Sequence, residues 1–177
     1  IDLASFPSII LPFKNQFFLY DFDAIQFDLG SFLYTNAPEL IDKKELIAHW
    51  AGYYSVNPKI ILTLMEMQSQ LISSPTEQAF NRPLGSLSTQ QGFAAQLQDV
   101  LAQLSQRFYT YEELQLKNKQ QQSTEAVNAA TFALLGMFNQ KLLDQQTPLD
   151  IETNSLLELD HFIDQLSLLF GHNEKDL

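Results

Sequence analysis

Cysteine is absent from this chain of 177 residues, which excludes disulfides and thiolate zinc sites. The compartment stays open on that count, because many exported proteins lack cysteine as well. Positive charge is scarce: 10 Lys and Arg stand against 21 Asp and Glu, a net charge of −11. Such a field disfavours nucleic acid and anionic membrane surfaces and favours a basic partner. No apolar run approaches the ~18 residues that a membrane span needs, so membrane insertion is not expected. The chain opens at Ile1 with no basic segment leading into an apolar one, so any signal peptide is expected to be gone already.

Catalytic signatures are missing too. The three histidines, His49, His161 and His172, form neither His-Glu-x-x-His nor His-x-His. No Gly-x-Ser-x-Gly is present, and none of the six glycines precedes Lys-Ser/Thr as a phosphate loop requires. No repeat of helix-pair period occurs. His172 and Asp176 have a spacing that can present two zinc ligands on one helical face. Gly171 is expected to end the helix before them, however, and no third ligand lies near, so no metal site is assigned. His161 and Asp164, three apart, read as a surface hydrogen bond or ion pair.

What is present is a globular composition, 45% hydrophobic with 14 Phe and 6 Tyr. That suits one domain with a substantial core. Residues 1–34 are rich in aromatics at irregular spacing, with Pro7 and Pro12, and read as an extended arm carrying at most a short strand and packing on the helices. Residues 35–177 read as a helical domain. Leu46, Ile47, Trp50, Tyr53 and Tyr54 mark a helix over Lys43 to Tyr54. Asn57 is a suitable N-cap, with Pro58 at the first helical position. From Ile60 to Leu71 the chain is apolar nearly all round, as in a central, buried helix. Ser73 to Leu87 reads as a loop. Ser88-Thr-Gln-Gln91 is a capping box for a helix with Phe93, Leu97, Val100, Leu101 and Leu104 inside.

A separate helix is expected over Tyr111 to Lys119, and then a Gln-rich surface connection over Lys117 to Thr124. Asn128 to Leu143 is helical apart from Gly136, and Pro148 breaks the chain. A last helix, capped by Asn154 or Ser155, places Leu156, Leu157, Leu159, Phe162, Ile163, Leu166, Leu169 and Phe170 on a wide apolar face. The expected fold is mainly α: a single orthogonal bundle of about six helices, with a lysozyme-like arrangement as one form open to it, and the N-terminal arm.

Glu66 is the one candidate general acid, a lone charge in an apolar helix. The bland alternative is an acid that faces solvent or pairs with Lys59 or Arg82. The helix resembles the one carrying the catalytic Glu of lysozyme-type transglycosylases, where Glu-Ser closes an apolar run. Here Gln68 precedes Ser69, and an amide cannot protonate a glycosidic oxygen. Glu66 lies roughly 200° around the helix from that position, at ~100° per residue. Gln68 and Ser69, with Tyr53, Tyr54, Asn81 and Arg82, remain candidates to line a cleft that binds sugar or peptide by hydrogen bonds.

The stretch His49-Trp-Ala-Gly-Tyr-Tyr-Ser-Val-Asn-Pro-Lys-Ile-Ile-Leu-Thr-Leu-Met-Glu-Met-Gln-Ser69 resembles the pro-region of LasA/staphylolysin-like, lysostaphin-type secreted zinc endopeptidases. The resemblance continues, in order, through Phe17-Phe-Leu-Tyr20, Asn36-Ala-Pro38, Pro83-Leu-Gly-Ser-Leu-Ser88, Gly92-Phe-Ala-Ala-Gln96, the Phe108 to Leu116 stretch, Asn128-Ala-Ala130 and Leu169-Phe-Gly171. It implies a bacterial, secreted or periplasmic precursor in which this segment precedes a β-rich peptidase domain. That domain would hold zinc through His, Asp and a His-x-His pair and cut glycine-rich peptide bonds of cell-wall bridges or elastin. None of those ligand motifs is matched here, so no catalytic residue carries over. The segment is then expected to be non-enzymatic, with the cognate peptidase domain as its partner, assisting folding, imposing latency, or both. The alternative is a degenerate lysozyme-like module that binds peptidoglycan without cutting it.

Overall fold

The structure is a computed structural model and describes residues 15–20, 26–118, 128–142 and 148–171. Among these residues there is no strand beyond a single antiparallel bridge between Leu19 and Val56. The helices are α1 (Asn15–Phe18), α2 (Leu29–Asn36), α3 (Lys44–Tyr53), α4 (Pro58–Ser69), α5 (Glu77–Asn81), α6 (Phe93–Asn118), α7 (Ala129–Leu142) and α8 (Pro148–Phe170). Two 3-10 turns, Pro38–Lys43 and Gly85–Leu87, join α2 to α3 and α5 to α6.

The centre is α4, where Ile60, Ile61, Leu62, Leu64 and Met65 are fully buried. Its one buried hydroxyl, Thr63 Oγ1, donates back to the Lys59 carbonyl at 2.7 Å, so no polar atom of the side chain is stranded. Asn57 caps the helix as expected: its side-chain oxygen accepts from the Lys59 amide at 3.0 Å. α7 is the second buried helix, with Ala129, Ala130, Ala133, Leu134, Leu135, Met137 and Phe138 all inside. It lies between α6 and α8, and α8 also packs along α4. Gly136 does not interrupt α7; a Cβ there would stand 2.8 Å from Arg107 Nη1, so the missing side chain lets an α6 arginine lie across the helix.

Several boundaries differ from the sequence reading. Helix α6 is continuous over 26 residues, because Leu104, Phe108 and Tyr111 extend the inner stripe at helical spacing across the expected break. Lys117 and Asn118 therefore close this helix, and the rest of the expected connection lies outside the described residues. Ser88 does not cap α6. Its Oγ accepts from the Gln90 amide at 3.1 Å and donates to Asp99, making a local turn ahead of a helix that starts at Phe93. Inside the expected Ser73–Leu87 loop sits α5, capped by Thr76, whose Oγ1 accepts from the Ala79 amide at 3.1 Å. α8 starts at Pro148, not at Asn154 or Ser155; at a first helical position the absent N–H of proline costs nothing. Leu159, Phe162 and Leu166 are buried, but Leu157, assigned to the same inner face, is exposed. Gly171 ends α8 with φ +80°, and its amide returns to the Ser167 carbonyl at 2.9 Å.

Within residues 15–34, Asn15–Phe18 and the stretch from Leu29 onward are helical, not extended, and Leu19 makes the single bridge. Asp28 caps α2, accepting from the Ser31 amide at 2.9 Å and from its hydroxyl at 2.6 Å. Phe17, Phe18, Leu29 and Leu33 belong to the same core cluster as α4, α6 and α7. Backbone bonds stitch α1 to the α3–α4 corner: the Asn57 amide donates to Phe18 O at 2.8 Å and the Tyr20 amide to Ser55 O at 3.1 Å. The Lys59 ammonium sits over the rings of Phe17, Phe27 and Phe170, at 5.9, 5.4 and 5.7 Å from their centroids. This cation joins α1, α4 and the end of α8 while keeping a charge at the rim of an aromatic cluster.

Candidate functional site

Helix α4 surfaces in its last turn, where Gln68 and Ser69 are partly exposed. Gln70, left-handed at φ 54°, caps it, and its amide donates to the Glu66 carbonyl at 2.9 Å. The Glu66 carboxylate then folds over the following turn. Its Oε2 accepts from the amides of Ile72 and Ser73 at 2.9 and 3.1 Å. Glu66 thus pairs with neither Lys59 nor Arg82. It supplies the acceptor that two backbone donors need after the helix ends.

Opposite Gln68 and Ser69 runs the segment from Arg82 to Gln90, and the residue that shapes it is Gln96 on α6. Gln96 is fully buried. Its Oε1 accepts from the Leu84 amide at 2.9 Å, while Nε2 donates to the carbonyls of Gly85, Ser88 and Gln90 at 3.2, 3.3 and 2.9 Å. Arg82 Nη2 reinforces the loop through Gly85 O at 3.0 Å and Ser88 O at 3.4 Å. Ser69 Oγ ties α4 to it, lying 2.9 Å from the Pro83 carbonyl and from Met65 O. Gly85 takes φ +52°, and a Cβ there would stand 3.2 Å from Gln68 Cβ, so the loop approaches the helix at its only position without a side chain.

Between the two lies a hollow of about 470 Å³ lined by Gln68, Ser69, Thr76, Gln78, Arg82 and Ser86, among others. Its polar groups are neutral except for one guanidinium. That chemistry can hold a neutral or carboxylate-bearing ligand by hydrogen bonds; nothing in it activates a nucleophile. The candidate residues therefore divide. Gln68, Ser69 and Arg82 meet at this hollow. Asn81 faces a neighbouring one of about 830 Å³ with Glu39, Asp42, Lys43, Glu77 and Phe93. Tyr53 and Tyr54 line neither and gather with His49 and Trp50 at the C-terminal end of α3, which Tyr54 caps.

Gln96 and Thr76 were not singled out from the sequence. Gln96 carried a signal: three residues after Phe93 and one before Leu97, it falls on the inner face of an amphipathic helix, where an amide must find partners. His161 and Asp164 are both exposed, and neither takes part in an ion pair among the described residues. His172 and Asp176 lie outside the described residues. No group of three or more His, Asp or Glu side chains placed to hold a metal ion occurs among the described residues. No helix there is long and apolar enough to cross a membrane.

The family model described as LasA, N-terminal domain, matches residues 11–177. Two curated relatives, both called Protease LasA and both from Pseudomonas aeruginosa (strains UCBPP-PA14 and PAO1), are each 49% identical over 137 residues, or 76% of this chain. The matched stretch takes up 33% of each relative, so the chain spans about a third of the proteins it matches. No solved structure matches it.

Proposed function

The chain belongs to the LasA N-terminal domain family, and on that footing we propose that it is the non-catalytic pro-domain of a secreted bacterial zinc endopeptidase, assisting the folding of that enzyme, keeping it latent, or both. The observation that carries the reading is coverage. A protein called a protease devotes one third of its length to the stretch matched here, and the other two thirds are free to hold the catalytic machinery. Zinc, and the action on glycine-rich cell-wall or elastin-like peptides, belong in this reading to that remainder. The physical mechanism is linkage: a folded partner that binds only the folded peptidase stabilises it by mass action. A net charge of −11 speeds encounter with a basic surface.

The test compares the whole precursor with one lacking this segment. Recovery of active peptidase should fall without the segment and return when it is supplied separately, and the intact precursor should be less active than the released enzyme. Equal recovery together with equal activity would sink the proposal.

The hollow beside Gln68 favours a second reading, a degenerate lysozyme-like module that binds peptidoglycan without cleaving it. It requires co-sedimentation with purified sacculi that Gln68→Ala weakens. Ser69→Ala is the poorer probe, because its hydroxyl also holds the Pro83 loop. Unchanged sedimentation of Gln68→Ala would remove this reading.

A further inference from the structure

We propose that the outward stripe of α3, formed by Glu45, His49 and Tyr53 and shouldered by Trp50 and Tyr54, is the surface on which the remainder of the precursor docks, and that it receives cationic side chains there. The inference rests on the pro-domain reading and names the surface that reading lacks. Glu45, His49 and Tyr53 are spaced i, i+4, i+8 and share one face of the helix. The opposite face, Ile47 and Ala51, is fully buried, so the stripe points away from the core. Tyr53 remains 68% exposed.

The rings hold one another in place. Centroids are 4.9 Å apart for His49–Trp50, 5.5 Å for Trp50–Tyr53, 4.9 Å for Tyr53–Tyr54 and 5.9 Å for Trp50–Tyr54. Rings already ordered lose little side-chain entropy on binding, which is what makes tyrosine and tryptophan effective anchors. Trp50 and Tyr54 are half-buried against the core and back the exposed Tyr53 ring, so the stripe offers one ordered aromatic anchor flanked by polar groups.

Charge and length indicate the occupant. Aromatic faces attract ammonium and guanidinium groups, and Glu45, whose side chain is 90% exposed, adds a carboxylate that its 3.6 Å pairing with Lys44 scarcely neutralises. A second copy of this chain, also at −11, would be repelled. The two thirds of the relatives that lie outside the matched stretch are tethered to it, and a tether supplies an effective concentration on the order of millimolar.

The experiment uses the full precursor with the photo-reactive analogue p-benzoylphenylalanine in place of Tyr53, and separately of Tyr34, Leu157 and Leu168, which are 78, 60 and 76% exposed. Position 53 should form adducts with the downstream part several-fold more than the other three, and the yield should fall with added salt and with Glu45→Gln. In the unlabelled precursor, Tyr53→Ala should weaken docking about tenfold, the cost of losing a tyrosine anchor. Adducts concentrated at 34, 157 or 168 would overturn the assignment of the surface and leave the pro-domain reading standing. Adducts from none of the four would overturn the surface proposed, while the pro-domain reading falls only if recovery and activity of the peptidase are unchanged without this segment. Adducts between two copies, or protection of position 53 by sacculi alone, would overturn the occupant proposed.

Discussion

Substituting Asn57 by alanine should loosen the joint between α1 and the start of α4. Asn57 is fully buried and makes four bonds; its carbonyl accepts from the Ile60 amide at 3.0 Å. Its Oδ1 accepts from the Lys59 amide at 3.0 Å, its Nδ2 donates to Phe17 O at 2.9 Å, and its own amide donates to Phe18 O at 2.8 Å. Alanine keeps only the two backbone bonds and loses both side-chain bonds. Loss of an N-cap costs about 1 kcal/mol, and loss of a buried neutral hydrogen bond about another 1 kcal/mol net. The sum, about 2 kcal/mol, is a sizeable part of the roughly 5–15 kcal/mol that holds a domain folded. At this chain length it corresponds to a fall in Tm of about 4–8 °C.

Urea unfolding can follow this with the fluorescence of Trp50, the one tryptophan of the chain, alongside helical circular dichroism. Coincident transitions would license a two-state treatment, and the midpoint should move with the slope unchanged. Asn57→Ser separates the two contributions, since a serine cap is retained while the Phe17 bond is lost; it should cost about half as much. A loss below about 0.5 kcal/mol for Asn57→Ala would refute the reasoning, because neither bond could then carry its usual worth.

Glu66→Ala should destabilise the chain by about 2 kcal/mol by taking the acceptor from the Ile72 and Ser73 amides, whereas Glu66→Gln, which keeps an acceptor oxygen, should cost about half of that; urea midpoints decide, and equal losses would contradict the clasp. Gly85→Ala should cost about 1–2 kcal/mol, from a left-handed backbone and a Cβ crowding Gln68, measured as a fall in Tm. Lys59→Met should lose about 1 kcal/mol of interaction with the Phe17, Phe27 and Phe170 rings, and hydrogen exchange should speed up at the two ends that the lysine joins. The Ser31 hydroxyl, then its amide, holds the Asp28 carboxyl below its ordinary value. A lowered folded-state pKa stabilises above the ordinary carboxylate value and is lost as pH falls through the lowered one. Asp28→Ala should therefore narrow its Tm gap from the parent chain on acidification, and a gap that widens would be inconsistent with the cap.

The amino-acid sequence by itself determined the helical class, the central position of α4 and its N-terminal end, and the C-terminal end of α8; the end of α4 at Ser69, ahead of a left-handed Gln70, was not read from it. The features it determined follow from local rules: an all-round apolar run must be buried, Asn57-Pro58 is an N-terminus on sight, and Gly171 is a C-terminus. It also set the absence of cysteine chemistry and the acidic field, which no fold can change. Its errors share one cause. Tyr111 looked like a new helix and Pro148 like a break because local breakers were weighed without the packing that overrides them. The inner stripe of α6 carries the helix through, and Pro148 begins α8.

The arm misled for a related reason: irregular aromatics read as extended, but among the described residues Asp28 caps a helix there and the core takes Phe17 and Phe18. Tertiary structure alone decided the sites. Glu66 became a clasp because the chain turns back over it, and Gln96 became the hub of a loop from a neighbouring helix. Six candidate residues fell into three places, since contact across distant segments has no one-dimensional period to betray it.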